Sequence, residues 1–200
     1  MFELEYRRKG FRRIAGVDEV GRGPLAGPVV AAACLIPEPD SIEGVRDSKA
    51  LSAKNRQKLF WSIIKRSLVG VGVINEREID RLNILQASLL AMREAVLKLP
   101  VMPDLLLIDG PFKIDLPIEQ IPIIGGDAKV VSIGAASIVA KVTRDAIMDN
   151  FGREYPEYGF HIHKGYGTSA HLAALEAQGP SPIHRMSFRP VAEAQLKVKA

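Results

Sequence analysis

Two acidic residues, Asp18 and Glu19, stand side by side where the apolar segment Ile14-Ala15-Gly16-Val17 gives out, and the glycine-rich turn Gly21-Arg22-Gly23-Pro24 follows at once. The apolar segment reads as a strand running into a core. Adjacent carboxylates at its end repel one another and lose hydration unless a cation neutralises them. A hard, oxygen-seeking divalent ion is the natural neutraliser. Successive strand side chains point to opposite faces, so both carboxylates reach one ion only if the strand ends or twists there, which Gly21 and Gly23 permit. The bland alternative is a solvated acidic pair in a surface turn, and for these two residues alone it is the commoner arrangement. The rest of the chain decides between them.

With 200 residues and 47% hydrophobic content, the chain can bury one good core and at most a small appendage. Its single cysteine, Cys34, lies in the apolar run Val29 to Ile36 and is expected to pack as a small hydrophobe, which leaves no disulfide framework and no cysteine-rich zinc site. The first nine residues lack the apolar stretch of a signal peptide, and no later run approaches the length of a bilayer span. The expectation is a soluble, cytoplasmic protein without membrane contact. A net charge of +4 and a pI near 9.2 suggest a polyanionic partner only weakly, but the basic residues are clustered. Arg7, Arg8, Lys9, Arg12 and Arg13 form one group, Lys49, Lys54, Arg56 and Lys58 a second, and Lys164, Arg185 and Arg189 a third, and together they could line a groove. Each is equally readable as a solvated face. The pair His161 and His163 lacks the cysteines or the His-Glu-x-x-His spacing of a zinc site, so hydrogen bonding or anion contact is the better reading.

The order of patterns is mixed α and β. Ile14 to Val17, Val29 to Leu35 and Val69 to Ile74 read as strands, Ser52 to Arg66 as a helix opened by a capping serine, and the segment after Asn83 as an amphipathic helix through Leu85, Leu89, Met92, Val96 and Leu99. The continuous apolar run Leu105 to Ile108 predicts a buried central strand, and it ends in a third acid, Asp109. A short strand over Ile121 to Ile124 leads into Gly125-Gly126-Asp127, and Val130 to Phe151 reads as a helix whose small residues let it lie close on a sheet. The expected architecture is α/β, with a main domain over 1–154 and a small helical appendage over 155–200.

In a mixed sheet, ligand sites gather where loops leave the strand ends, which is where Asp18, Glu19 and Asp109 fall. Carboxylates with no cysteine or histidine in their motifs favour Mg²⁺ or Mn²⁺, and a pair of such ions about 4 Å apart suits phosphodiester hydrolysis. A dinucleotide-dependent oxidoreductase is a rival, because Gly21 to Gly27 loosely imitates a nucleotide-binding loop. However, Pro28 to Cys34 reads as a strand where that loop needs a helix. A non-catalytic nucleic-acid-binding module is the second rival; it explains the basic clusters and leaves the acids unexplained.

Six motifs in order resemble type 2 ribonuclease H in its bacterial form, ribonuclease HII. They are Gly16 to Pro24, Asp47-Ser48-Lys49, Leu82-Asn83-Ile84, Leu107 to Gly110, Ala135 to Asp145, and His163-Lys164-Gly165-Tyr166-Gly167-Thr168. The resemblance implies a ribonuclease H-like mixed sheet flanked by helices. It also implies an endonuclease acting on the RNA strand of RNA/DNA hybrids and on the 5′ side of single ribonucleotides embedded in duplex DNA, with two divalent ions and 3′-hydroxyl and 5′-phosphate products. Asp18, Glu19, Asp109 and Asp145 correspond to the catalytic, metal-binding carboxylates. Asp145 could instead pair with Lys141 one helical turn away, and Asp127 is the competing fourth ligand. Gly21, Arg22 and Gly23 would meet the ribose 2′-hydroxyl through backbone groups, Tyr166 would stack on the next sugar, and Ser48, Lys49 and Lys164 would also contact substrate. Gly125 stands where the family often has lysine and Gly134 where alanine is usual, so position 125 offers no side chain to a phosphate. Residues 195–200 carry no evident sliding-clamp-binding motif, and a monomer is expected.

Overall fold

The structure, a computed structural model, describes residues 2–38, 42, 44–45 and 52–198. Ser48 and Lys49, expected to hold phosphate, lie outside the described residues. Among the described residues five strands form one sheet: β1 (Ile14–Val20), β2 (Val29–Leu35), β3 (Leu68–Ile74), β4 (Leu105–Asp109) and β5 (Glu119–Ile123), in the spatial order β3-β2-β1-β4-β5. β1 with β2 and β2 with β3 are antiparallel, whereas β1 with β4 and β4 with β5 are parallel. The helices are α1 (Phe2–Arg8), α2 (Ala53–Arg66), α3 (Glu76–Leu82), α4 (Ile84–Leu97), α5 (Gly126–Lys129), α6 (Val131–Glu154), α7 (Phe160–His163), α8 (Ser169–Gln178) and α9 (Arg189–Val198).

Strand alternation divides the core between two helical layers. Ala15 and Val17 of β1, Ala31 and Ala33 of β2, and Leu106 and Ile108 of β4 pack with Ala91, Met92 and Val96 of α4. The intervening residues Val30, Ala32 and Cys34 face Ala135, Ala136 and Val139 of α6 and Ile63 of α2. All seven residues of β2 are buried, as a strand covered on both faces requires. Cys34 is buried and free, and burial pushes its thiol pKa far up, so it packs as the expected hydrophobe. Among the described residues no helix is long and apolar enough to cross a membrane.

The approach of α6 to the sheet depends on Gly16. A Cβ at that position would lie 2.2 Å from both Ile133 N and Ser132 C, so only glycine lets the helix backbone rest on β1. The other end of α6 carries the chain into its last segment. There a 3-10 turn at Pro156–Tyr158 and helices α7 to α9 close over the 21–28 loop. Ala26 packs with Met148, Tyr158, Phe160 and Ile183, and Leu25 with Leu175 and Val191.

Three features exceed the sequence reading. Helix α1 is docked by Glu3, which is buried and accepts bonds from Ser132 N (2.9 Å) and Ser132 Oγ (3.1 Å). A separate helix, α3, precedes α4, and Asn83 at φ 70° both ends the first and caps the second by accepting from Leu85 N and Gln86 N. The Gly-Gly-Asp segment forms the short α5 rather than a plain turn.

Because the clash at Gly16 is with backbone, no rotamer change relieves it. Gly16→Ala should lose about 2–3 kcal/mol of stability, measured by urea denaturation, because α6 must move off β1 to make room.

Candidate active site

The β1–β4 register pairs Val17 with Ile108, so Asp18 and Asp109 come one residue further on, where the two parallel strands part while each stays paired with its other neighbour. Asp18 is 6% exposed and its Oδ1 accepts the Glu19 amide at 2.7 Å. Burial raises its carboxyl well above the ordinary range, and the negative charges of Glu19 and Asp109 raise it further, while a bond from Ser137 of α6 works the other way. Glu19 is also raised by burial, against the opposing pull of Arg22, whose Nη1 bonds Glu19 Oε1 at 3.2 Å.

Asp109 turns its Oδ1 to the Gly126 amide at 2.7 Å, and this bond brings the start of α5 to the site. A Cβ at Gly126 would lie 2.6 Å from Ile133 Cδ1 and 3.3 Å from Asp109 Oδ1, so glycine lets both side chains come close without shifting. Gly134 serves the same seat, since a Cβ there would stand 2.7 Å from Asp127 O. The result is that Asp127, 5% exposed, joins Asp18, Glu19 and Asp109 around one cleft of about 350 Å³, with Arg56, Ser137, Ile138 and Lys141 completing the lining. Lys54 and Lys58 of the second basic cluster are not part of it.

Asp145 does not line this cleft. It sits four residues beyond Lys141, about 6 Å further along α6, and bonds the Lys141 ammonium at 2.7 Å. Of the two candidates for the fourth carboxylate, the structure brings Asp127 into the cleft and leaves Asp145 outside it. The signal was present in Gly125-Gly126-Asp127, where the glycine amide can reach Asp109, but sequence alone does not show that bond.

The Gly21-Arg22-Gly23 turn is held from behind by two fully buried arginines that sequence reasoning did not single out in this role. Arg185 donates to Gly21 O (2.6 Å), Arg22 O (3.1 Å) and Gly27 O (2.9 Å). Arg144 donates to Pro28 O (2.9 Å), Ala26 O (3.2 Å) and Lys164 O (3.0 Å). Burial, then the neighbouring Arg144 charge, lowers the Arg185 pKa to about 9. In a trans peptide the N–H points opposite its C=O, so the amides of Arg22 and Gly23 are directed away from Arg185, toward the side on which these two residues are exposed. Tyr166 stands next to them: the residue is 43% exposed, and its Cε1 would lie 3.6 Å from a Cβ at Gly23. Of the third basic cluster, Lys164 is paired with Asp149 and Arg189 with Glu193 at 2.7 Å, while Arg185 is fully buried behind the turn.

Residues 15–191 match the sequence profile of the family described as Ribonuclease HII. The chain is 54% identical over 193 residues to Ribonuclease HII of Geobacter sulfurreducens, which covers 96% of this chain and 89% of that one. Among solved structures it is similar to the ribonuclease H2 from Pyrococcus horikoshii OT3, with a TM-score of 0.80 and 27% identity over 94% of this chain and 99% of that one. It also shares the fold of Bst-RNase HIII in complex with Mn²⁺, with a TM-score of 0.77 and 20% identity over 94% of this chain and 70% of that one.

A carboxyl whose folded-state pKa is raised destabilises the fold once pH exceeds its unfolded value of about 4. In protein freed of metal, Asp18→Asn should therefore raise the melting temperature by a few degrees at pH 7, with the gain shrinking as pH falls toward 4. Differential scanning calorimetry in EDTA across that range checks it.

Proposed function

The chain belongs to the ribonuclease HII family, and from that premise we propose that it hydrolyses the RNA strand of RNA/DNA hybrids and cuts on the 5′ side of single ribonucleotides embedded in duplex DNA. The observation that carries this reading is the cleft itself, where Asp18, Glu19, Asp109 and Asp127 meet within reach of an exposed Gly-Arg-Gly turn and an exposed tyrosine.

The donor set fits Mg²⁺ or Mn²⁺. All four groups are hard oxygen donors, and burial, with neighbouring acids adding to it, raises the carboxyls of Asp18 and Glu19. Among the described residues no three His, Cys, Asp or Glu side chains already converge on a point where they could hold a metal ion, so the cleft groups its carboxylates without a preformed coordination site. When bound, two such ions would lower the pKa of an attacking water and stabilise the charge that develops on the leaving oxygen. The protein's own groups supply the rest. The four carboxylates fix where the phosphate on the 5′ side of the ribonucleotide must lie, which leaves a 3′-hydroxyl and a 5′-phosphate. The outward amides of Arg22 and Gly23 meet the ribose 2′-hydroxyl, the group that separates RNA from DNA. Tyr166 packs against the following sugar and, at a junction into DNA, rejects a second 2′-hydroxyl by sterics. Residues 155–200 thus serve as a substrate-binding extension of the 1–154 catalytic domain. A module that only binds nucleic acid gains nothing from four acids at its phosphate site, because they oppose binding.

The test is a duplex carrying one ribonucleotide, incubated with Mg²⁺, Mn²⁺ or EDTA; cleavage in EDTA would sink the metal-dependent reading. Asp127→Asn should lower the rate by about a hundredfold or more, the scale of losing a metal ligand, whereas Asp145→Asn should stay within a few-fold of the parent. A reversed order would return the fourth position to Asp145. Tyr166→Ala should cost several-fold more on the single-ribonucleotide duplex than on a continuous hybrid, and equal losses on both would remove Tyr166 from junction reading.

A further inference from the structure

Three of the four histidines form a packed column beneath the Tyr166 loop. The His163 and His171 rings are stacked with centroids 4.4 Å apart, and His171 Nε2 lies 3.0 Å from His184 Nε2. His171 and His184 are buried, and burial lowers both pKa values, with His184 held at about 3. All of the column's ring nitrogens are occupied, and the occupancy fixes the tautomers.

The chain of donors starts at Ser181. Its amide donates to His184 Nδ1 at 2.9 Å, and its hydroxyl lies 2.8 Å from the same atom. A neutral His184 then carries its proton on Nε2 and donates it to His171 Nε2. His171 in turn must carry its proton on Nδ1, which is 2.9 Å from the Tyr166 carbonyl oxygen. His163 braces the residue before Tyr166: its Nδ1 accepts the Gly165 amide at 3.2 Å and its Nε2 lies 2.7 Å from Tyr158 O. The backbone held in this way is one that L residues adopt rarely, with Lys164 at φ 52° followed by Gly165 at φ 83°. The Gly165 carbonyl also accepts Leu25 N at 2.8 Å, so the loop is referenced to the turn that carries Gly23.

We propose that the His163, His171 and His184 column is the positioning device for Tyr166, fixing the carbonyl of that residue so that its ring stands beside Gly23. These are positioning residues that act on substrate discrimination only through the tyrosine. The proposal rests on the reading of Tyr166 as the residue that senses the junction. Tyr166 O also accepts Thr168 N at 2.8 Å, so loss of the His171 bond should loosen the ring rather than release it.

Two conservative substitutions at one position separate the halves of the column. In His171→Asn the amide nitrogen falls near Nδ1 and keeps the bond to Tyr166 O; in His171→Gln the amide falls near Nε2 and keeps the contact with His184 while freeing Tyr166 O. The readout is the ratio of kcat/KM on a single-ribonucleotide duplex to that on a continuous hybrid, with Tyr166→Ala assayed beside them. We expect His171→Gln to lower the ratio about fivefold and His171→Asn to stay within twofold of the parent. If Tyr166→Ala lowers the ratio and the two His171 variants behave alike, the positioning proposal is overturned and the tyrosine reading stands. If Tyr166→Ala leaves the ratio unchanged, the tyrosine reading fails and takes the proposal with it. Should the Gln variant not fold, two-bond ¹H–¹⁵N correlations on the parent protein decide: a proton on Nδ1 of His171 supports the column as drawn, and a proton on Nε2 overturns it.

Discussion

The backbone of α6 resting on Gly16 is the contact from which the rest of the molecule is built. At its start, Ser132 captures Glu3 and so docks α1. One turn on, Ser137 and Lys141 enter the carboxylate cleft; then Arg144 grips the loop at 26–28, and Met148 enters the cluster that anchors the last segment. Near the end, Gly152 allows the chain at His161 to cross close by, since a Cβ there would meet His161 N at 2.7 Å. One rigid rod thus spaces the groups that hold charge and the groups that hold the substrate loop. A helix set even slightly further from the sheet would separate them.

Carboxylates and guanidiniums are sorted to different layers of the site. Acid groups crowd the strand ends, where each raises the cost of ionising its neighbour. The two buried arginines lie behind the turn, and among the described residues neither forms a salt bridge; six backbone carbonyls take their place. Carbonyl dipoles satisfy hydrogen bonds without cancelling charge, so two positive charges remain under the surface that faces a polyanion. Acidic partners would have stabilised the arginines more strongly and would have opposed the substrate.

The sequence made the central architecture readable because its signals are local and periodic. The pair Asp18-Glu19 at a strand end, the run Leu105 to Asp109, and the small-residue face of α6 each identify an element and a site carboxylate or its support. What failed to show was whatever depends on depth. Arg144 and Arg185 have the composition of surface residues, and nothing in their neighbourhoods marks them as buried. Asp145 sits in a motif-rich stretch, yet the structure pairs it with Lys141 and leaves it outside the cleft that Asp127 lines. Asp127 is placed by a hydrogen bond between Asp109 and Gly126, seventeen residues apart, which no spacing rule displays. Likewise, α1 had no expected role until the buried Glu3 gave it one.

The clamp on the Gly21-Arg22-Gly23 turn joins residues far apart in order of synthesis. The bond from Arg185 to Gly21 O spans 164 positions. While the chain is still emerging from the ribosome, β1 and its carboxylates are already exposed, but the guanidinium that sets the turn has not been made. Closing so long a loop is also a late event in refolding, because its entropy must be met before the contact rewards it. The sheet can assemble early, whereas the turn takes its set only after the segment that carries Arg185 has been made and has folded back on it.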